Sequence, residues 1–517
     1  TRFGSNTLAV APERTANGET FLAVNSHQPW SGPVAWYEAH VHSAQGWDAA
    51  GGLFPGAPLI LHGHNRDLGW AFTVNSPDLV DVFVLEMNPD DPNQYRFDGE
   101  WLALEVRQAP ISVQLFGRFR WTVKQEVLWS VYGPTVRQPH GVYALRFAGY
   151  GEVGLVEQWY RMNKATTFDE WLAAMRDGPL PSFNVGYADK TGNIYYLYNA
   201  LLPMRAAGYD WQQYLPGNTS ETLWTDYLPF DELPQVLNPA AGFIQNGNST
   251  PFQTTLGADN PDPADYAAVF GIETGMTNRA LRALALLGRD EAITEAAFAA
   301  IKYDAGYAAD SDVAAFVAAL LAAPPPDDPD LRQALALLRD WDLQATPDSE
   351  GATIGLLLLY FLYEADVGLT SWKLVGNEVS AEALLPALEQ AVAHLQTHFG
   401  RIDVPWGEVN RLRRGDVDVA LGGGPDALHA IYGSFDEDGR LHAFSGDAYV
   451  MLVTWDAAGQ VHSRSIHQFG SATLDAASPH YADQAPLFAT QTLKPVWLDE
   501  ADIRANLSRV YRPGEED

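Results

Sequence analysis

The sequence predicts an α+β protein in which strands from both ends of the chain form the sheets and a helical layer covers them. Residues 1–277 alternate apolar and polar side chains in short runs between Gly, Pro, Asn and Asp turns, which predicts strands. Residues 278–400 change to apolar spacings of three and four, which predicts helices. Strand patterns return in residues 401–517. The helical part could be a separate domain, but a layer packed on the sheets suits the β–α–β order better.

Individual elements follow from these patterns. The clearest strands are predicted at residues 7–10, 21–24, 80–84, 192–198 and 449–453. Helices are predicted at residues 279–287, 291–302, 311–321 and 331–338. The proline-rich run 324–329 separates two of these helices. The apolar run 354–362 is too short to cross a bilayer and predicts a buried helix.

Composition and charge exclude several classes of function. The 517-residue chain has a formal net charge of −33, which repels nucleic acid and anionic membrane surfaces. This charge serves solubility or fits a basic or calcium-containing partner. No apolar run is long enough to insert into a membrane. Cysteine is absent, which excludes disulfides, thiol catalysis and Cys-ligated metals, and fits an exported protein that avoids misoxidation.

The first residue is a hydroxyl amino acid, Thr1, and no initiator Met or signal peptide precedes it. We therefore expect a start produced by processing. Some hydrolases use an N-terminal Ser, Thr or Cys as nucleophile and its own α-amine as base. That amine titrates near pH ~8, so it can accept a proton at neutral pH. The alternative is that the first residue has no catalytic role, since Ser and Thr are common at N-termini.

A series of segments, in order along the chain, resembles the large β subunit of the penicillin acylase family of N-terminal nucleophile hydrolases. These segments are residues 4–15, 25–30, 55–58, 63–65, 69–74, 246–251, 278–279 and 478–484. Each is weak alone, but the ordered set spans nearly the whole chain. The resemblance implies an αββα sandwich of two stacked, mainly antiparallel sheets between helical layers. It also implies a small α subunit cut from the same precursor and hydrolysis of linear amides in small N-acylated molecules.

The resemblance assigns catalytic roles to a few residues. Ser5 matches the nucleophile, and His27 matches the residue that supports the nucleophile's amine. The Val74 N–H and the Asn248 side chain match the oxyanion hole, which needs two fixed donors for the charge that develops on oxygen. Arg279 matches the arginine that orients Asn248.

Each of these residues also has an ordinary structural interpretation. His27 could be a core histidine with satisfied hydrogen bonds. Asn248 lies in a sequence that any turn would accept. Arg279 could begin a helix and pair with a carboxylate. Only their joint placement favours catalysis.

The identity of the nucleophile is open between Thr1 and Ser5. The intervals to His27 and Val74 match the family when counted from Ser5, but are four residues too long from Thr1. Four extended residues span about 13 Å. Ser5 has a free amine only after residues 1–4 are removed. Either Thr1 folds back into the site, or an N-to-O acyl shift cleaves the Gly4–Ser5 bond, and we favour Ser5.

Substrate-binding residues are expected at Gln28, Pro29, Pro58 and Thr73. The acyl group could be phenylacetyl, aliphatic as in acyl-homoserine lactones, or a longer lipid chain. The sequence favours a broad acylase for apolar acyl groups but does not give the size of the pocket.

Residues 78–81 resemble the family's calcium loop. Asp78, Val80 and Asp81 would supply two carboxylates and a backbone carbonyl, which suit a hard cation, and the other ligands would include groups of the α subunit. Such a calcium ion would be structural, since amide hydrolysis by this route needs no cofactor. The alternative is a solvated acidic turn.

Two rival functions remain. The pairs His40/His42 and His62/His64 could place imidazoles on one strand face and bind zinc in a metal-dependent hydrolase, although no acidic ligand follows at a recognisable spacing. The second rival is a catalytically inactive relative that serves as a binding scaffold.

Overall fold

A computed structural model describes residues 4–289, 292–365, 374–512 and 514–515. Antiparallel sheets with helices packed on them form most of the chain, so the protein is a mixed α+β protein. Thr1 and the first residue of the helix predicted at 291–302 lie outside the described residues. No helix of the described segments is both long and apolar enough to cross a bilayer.

Strands dominate the two ends of the described chain, and helices dominate its middle. The strands are β1 (Gly4–Val10), β2 (Thr20–Pro29), β3 (Tyr37–Ser43), β4 (Trp47–Leu53), β5 (His62–Asn65), β6 (Leu68–Thr73), β7 (Val80–Val84), β8 (Gln94–Phe97), β9 (Glu100–Ala103), β10 (Glu105–Phe116), β11 (Phe119–Ser130), β12 (Gly133–Gln138), β13 (Gly141–Phe147), β14 (Ser182–Asp189), β15 (Ile194–Ala200), β16 (Leu215–Pro216), β17 (Gln235–Leu237), β18 (Phe243–Asn246), β19 (Asn410–Arg414), β20 (Val417–Ala420), β21 (Ile431–Phe435), β22 (Leu441–Trp455), β23 (Val461–His467) and β24 (Lys494–Pro495). The helices are α1 (Leu155–Lys164), α2 (Phe168–Arg176), α3 (Asn278–Leu287), α4 (Glu295–Lys302), α5 (Asp312–Ala322), α6 (Pro329–Asp340), α7 (Glu350–Glu364), α8 (Ala381–Phe399), α9 (Trp406–Val409), α10 (Ala485–Ala489) and α11 (Glu500–Ala505).

Local capping explains where the helices of the middle segment begin. Each of α3 to α8 follows a Ser, Thr or Asp whose side chain accepts a hydrogen bond from a backbone N–H of the first turn. Pro329 starts α6 directly after its cap Asp328, where a missing N–H does no harm. Helices α5 to α8 share an apolar core to which α9, β21 and β22 also contribute.

Two helices, α1 and α2, lie in a part of the chain that the sequence patterns indicated as strands. Trp171, Ala174 and Met175 of α2 are buried at helical spacing, and Thr167 caps it by accepting from the Glu170 N–H. Helices α1 and α2 are short and lie inside a long strand-rich region, so their helical spacing of apolar residues was not recognised in the sequence.

The first sheet has the order β18-β1-β2-β22-β19-β20, and β21 and β23 also pair with β22. Strand β2 is antiparallel to β22, over 400 residues further along the chain. Strands from both ends of the chain therefore share one sheet, as the patterns predicted. Strand β1, which carries the candidate nucleophile, lies between β18 and β2.

The second sheet has the order β17-β15-β14-β6-β5-β4-β3, and its strands β6 and β14 pack on β1 and β2. Leu22 and Val24 face this interface, whereas Phe21 and Ala23 face the core formed with α3 and α4. Helix α1 packs on β4 and β5 of the second sheet. The strands around the candidate nucleophile are therefore covered on both faces.

A third sheet has the order β10-β11-β12-β13-β7-β16. Its strands β10 and β11 form a long hairpin that is mostly exposed to solvent. Strand β7 begins seven residues after the end of β6. The short segment between these two strands contains Val74, the predicted oxyanion donor.

Candidate active site

Ser5 lies near the start of β1, beside β2, and is 4% exposed. Its backbone N–H donates a hydrogen bond of 2.7 Å to Asn248 Oδ1. Its hydroxyl donates to the carbonyl oxygen of Gly4. The two polar groups of Ser5 thus face the turn of Asn248 and the peptide bond between Gly4 and Ser5.

Asn248 lies in the turn after β18, with φ of 61°, a left-handed conformation that Asn tolerates better than most residues. Its backbone N–H donates to Asn246 Oδ1 at 2.9 Å, which fixes the turn. Its side-chain Nδ2 donates to the Val74 carbonyl oxygen at 2.8 Å. A carboxamide nitrogen carries two N–H groups, so Asn248 holds the Val74 peptide with one and has a second to offer.

Gly4 fills a narrow gap between two of these side chains. A Cβ atom at this position would lie 3.1 Å from Asn248 Oδ1 and 3.2 Å from His27 Nδ1. Both distances are tighter than ordinary van der Waals contact. The absence of a side chain at Gly4 therefore lets the backbone before Ser5 pass close to both groups.

His27, on β2, is fully buried with one nitrogen engaged and the other directed toward Gly4. Its Nε2 lies 3.0 Å from Asp447 Oδ1 and 3.0 Å from Asn25 Oδ1. Burial lowers the pKa of His27 to about 4, against the opposing hydrogen bond with Asp447, so the imidazole is neutral at pH 7. Its Nδ1 has no hydrogen-bond partner within the described part of the chain. This nitrogen is therefore available as a hydrogen-bond acceptor beside Gly4.

A buried ionic cluster lies behind His27. Asp447 Oδ2 accepts from Lys302 Nζ at 2.8 Å and lies 2.8 Å from His429 Nδ1. Lys302 Nζ also donates to the Leu428 carbonyl at 3.2 Å. Burial alone would raise the pKa of Asp447, but Lys302 and the hydrogen bonds from His27 and His429 hold it well below its usual value. The ionised carboxylate therefore fixes the orientation of His27.

Arg279 binds β1 rather than Asn248. Its Nη1 donates to the Ser5 carbonyl at 2.7 Å and to a second oxygen on β1, and its Nε donates to Asp426 at 2.9 Å. A Cβ atom at Gly247 would lie 3.1 Å from Arg279 Cβ, so the arginine stem packs beneath the turn and the guanidinium extends past it. The hydrogen bonds described for Arg279 position the backbone of Ser5, and the orientation of Asn248 by Arg279 stays a prediction.

Comparison with known proteins identifies the family of the chain. A family model described as penicillin amidase matches residues 1–505. The chain belongs to the penicillin amidase family. The acyl-homoserine lactone acylase PvdQ of Pseudomonas fluorescens strain Pf0-1 is 25% identical over 551 residues, covering 97% of this chain and 69% of that protein. Penicillin G acylase of Escherichia coli is 29% identical over 248 residues, covering 48% of this chain and 29% of that protein.

A solved structure shows the same fold. The thermostable penicillin G acylase from Alcaligenes faecalis has a TM-score of 0.71 at 20% identity, over 98% of each chain. The relatives named in these comparisons are acylases, so this penicillin amidase is a linear-amide hydrolase with acylase activity. The family predicted from the ordered segments is confirmed.

The residues predicted to bind substrate lie in different places. Gln28 and Pro29 end β2 and are half-buried, beside β22. Thr73 is buried at the end of β6, next to Val74, and its hydroxyl donates to Asn246 Oδ1. Pro58 is exposed in the loop between β4 and β5. Their contacts with a substrate stay predictions, as does the role of Thr1.

The residues predicted to bind calcium surround an arginine. Arg205 Nη2 lies 3.2 Å from Asp78 Oδ1, and its Nε donates to Asp81 Oδ2 at 3.0 Å. Asp81 is buried, so the alternative of a solvated acidic turn also fails for it. The set of Asp78, Val80 and Asp81 does not fit a calcium ion, because a guanidinium already bridges both carboxylates. The contacts of Arg205 argue against a calcium ion at this loop, and the calcium site stays a prediction.

Three histidines of the two pairs, His40, His62 and His64, have hydrogen-bond partners in the protein. His40 Nε2 lies 2.6 Å from Asp48 Oδ1, and His42 is mostly exposed. His62 Nδ1 accepts from a backbone N–H, and both nitrogens of His64 have protein partners. Across the described ranges, no group of three or more His, Asp or Glu residues could hold a metal ion. Nothing in this arrangement favours a metal-dependent hydrolase.

Sequence reasoning missed the residues behind the nucleophile. Asp426, His429 and Asp447 come from the far end of the chain and follow no local pattern. Lys302 gave one usable signal, because it ends a helix on the same apolar face as Phe298 and is fully buried. A lysine on an apolar helix face requires a buried partner.

Proposed function

We propose that the chain removes acyl groups from small N-acylated molecules, such as acyl-homoserine lactones or β-lactams, with Ser5 as the N-terminal nucleophile. The supporting observation is the position of Asn248, whose side chain binds the Ser5 nitrogen and the Val74 peptide at once. Acyl transfer requires fixed donors where charge develops on the carbonyl oxygen, and Asn248 has a second N–H to supply beside Ser5. Thr1 lies outside the described residues, and its role stays a prediction.

Maturation cleaves the Gly4–Ser5 bond. The Ser5 hydroxyl, which already contacts the Gly4 carbonyl group, adds to the carbonyl carbon. The C–N bond then breaks, the nitrogen of Ser5 takes a proton, and an ester joins Gly4 to Oγ. The shift leaves a primary amine on Ser5, and water then hydrolyses the ester, which frees the Ser5 hydroxyl and a carboxylate on Gly4. His27 Nδ1, beside Gly4, is the acceptor that supports this amine.

Catalysis by the mature chain uses the freed amine as a base. The amine donates to Asn248 Oδ1, which leaves its lone pair for the proton of Oγ. Oγ adds to the substrate carbonyl, and the oxyanion receives hydrogen bonds from the Val74 N–H and the second Asn248 N–H. The amine of the substrate leaves with the proton. Water then hydrolyses the acyl-enzyme, so no cofactor takes part.

The same proposal covers the remaining features of the family. The sheet pair and its helices form the αββα sandwich, and the stacking of β1 and β2 on β6 and β14 supports it. A small α subunit from the same precursor completes the pocket for an apolar acyl group. The location is periplasmic or extracellular.

Intact mass, N-terminal sequencing and a burst assay with chromogenic amides test the proposal on the matured enzyme. Phenylacetyl, short aliphatic and long aliphatic amides should each be tried, and we expect a burst of one product from at least one of them. We expect Ser5 at the mature N-terminus. Ser5→Ala should remain uncleaved and inactive, whereas Thr1→Ala should mature and turn over normally.

The rival functions give different results. A scaffold would show no burst with any acyl length. A metal-dependent hydrolase would keep its activity in Ser5→Ala and lose it with a strong chelator. A mature N-terminus at Thr1 would move the nucleophile to that residue.

A further inference from the structure

Arg205 is surrounded by oxygen atoms in the way that a bound cation would be. Its side chain has no exposed surface. Its Nη1 donates to the Val269 carbonyl at 2.7 Å, and its Nη2 donates to the Asp78 carbonyl at 3.0 Å. The carboxylates of Asp78 and Asp81 lie at 3.2 Å and 3.0 Å from its nitrogens. All three nitrogens of the guanidinium therefore have oxygen partners.

The neighbouring groups support a permanent ion pair rather than a metal. Trp224 Nε1 donates to Asp81 Oδ2 at 2.7 Å, so this oxygen is shared between an indole and a guanidinium. Burial raises the pKa of Asp81, and Arg205 opposes the rise. A calcium ion needs six to eight oxygen ligands at about 2.3–2.6 Å, and its two charges would repel Arg205 at this distance.

The arginine connects two segments next to the oxyanion donor. Residues 74–78 follow β6 directly, and residues 269–273 pass beside them. The Asp78 N–H donates to the Phe270 carbonyl at 3.0 Å, and the Ser76 N–H donates to Glu273 Oε1 at 3.1 Å. Arg205 adds its bonds to both segments, so it restrains the segment that begins at Val74.

We infer that Arg205 does in this chain the work of a structural metal ion: it is a fixed internal cation that joins residues 78–81 to residues 269–273 and positions Val74. A fixed cation is never lost to dilution or chelators, so the fold around Asp78 and Asp81 is independent of calcium. Arg205 is a positioning residue, because it acts through the Val74 segment and not on the substrate. The effect on Val74 rests on the proposed function, but the independence from calcium does not.

Thermal unfolding of the matured enzyme, in a chelator and in millimolar calcium, tests this inference. The wild-type midpoint should be the same in both, and calorimetric titration should show no calcium binding. Arg205→Ala should lower the midpoint in the chelator by about 5 °C or more, because it leaves two carboxylates without a cation. Calcium should then restore part of the loss, since the oxygen atoms remain and the cavity admits an ion and its waters.

Arg146→Ala is the matched control. Arg146 is a partly buried arginine that lies over the Trp224 ring and donates to the Tyr132 carbonyl. Its removal should lower the midpoint without any restoration by calcium. Arg205→Lys keeps a charge with fewer donors, so its midpoint of thermal unfolding should lie between those of the wild type and Arg205→Ala. If Arg205→Ala does not fold, Arg205→Lys takes its place in the test.

The overturning results are equally specific. A rise of the wild-type midpoint with calcium, or calcium binding by the wild type, would show that an ion binds beside Arg205. An unchanged midpoint in Arg205→Ala, or a folded Arg205→Ala that calcium does not restore, would also refute the inference. In the activity assay, Arg205→Ala should lower kcat more than it changes KM, and this readout alone depends on the proposed function.

Discussion

The cluster behind the nucleophile and the β10–β11 hairpin both reverse the usual relation between polarity and burial, in opposite directions. Lys302 and Asp447 are charged and fully buried. On the hairpin, Ile111 pairs with Val123 and Val113 with Trp121 on one face, and each is 44% exposed or more. The cluster groups depend on one another, because a charge in the interior needs its partner. The hairpin residues already contact water and can be replaced singly.

The largest effect is expected when the cluster loses a charge. Lys302→Met leaves the buried Asp447 carboxylate with its histidine contacts but without the charge of Lys302, which should lower the free energy of unfolding by about 3–5 kcal/mol. Lys190→Met, which breaks the exposed pair with Asp67, should change it by less than about 1 kcal/mol. Urea unfolding of both variants measures the difference. Equal changes would mean that the buried pair behaves like a surface pair.

The second largest effect is expected on the catalytic rate when the site around Ser5 loses Asn248. Asn248→Ala removes one oxyanion donor and the acceptor of the Ser5 nitrogen, so kcat should fall by about a hundred- to a thousand-fold. Asn218→Ala is the control, because that side chain binds Glu86 away from Ser5. Steady-state kinetics on a chromogenic amide measure both. An Asn248→Ala enzyme with wild-type kcat would remove Asn248 from the mechanism.

A smaller effect tests another buried polar group, His62. Burial lowers its pKa from 6.5 to about 3. Below pH 6.5 the unfolded chain takes up a proton that the folded chain refuses, so this residue lowers the stability as the pH falls toward 3, by about 1.4 kcal/mol per pH unit. His62→Gln removes this proton uptake, so the slope of the unfolding free energy against pH should fall by about 1.4 kcal/mol per pH unit between pH 3 and 6.5. An unchanged slope in His62→Gln would contradict this account.

The smallest effect is expected on the hairpin. Trp121→Thr keeps a residue suited to a strand and removes one exposed cross-strand contact, so the free energy of unfolding should change by less than about 1 kcal/mol. Trp70→Ala, at a fully buried tryptophan, should cost about 3–5 kcal/mol. A large loss in Trp121→Thr would show that a partner or another part of the molecule covers this face.

Much of the fold could be predicted because its signals are local. The helices that begin at Asn278, Asp312 and Pro329 lie close to their predicted positions, since caps and apolar spacing define them. The positions of Ser5 and Asn248 followed from the family resemblance rather than from spacing. The partner of His27 could not be predicted, because Asp447 lies 420 residues away and no pattern connects the two.

The sequence by itself determined the strand-rich ends, most helices of residues 278–400 and, through ordered motifs, the family. Those properties depend on neighbours within a few residues, where alternation and capping act. Only the tertiary structure decided that Arg279 binds the Ser5 carbonyl, that Asp447 lies behind His27, and that Arg205 stands between Asp78 and Asp81. Burial and charge pairing belong to a place in the folded molecule, and that place exists only after distant segments have packed together.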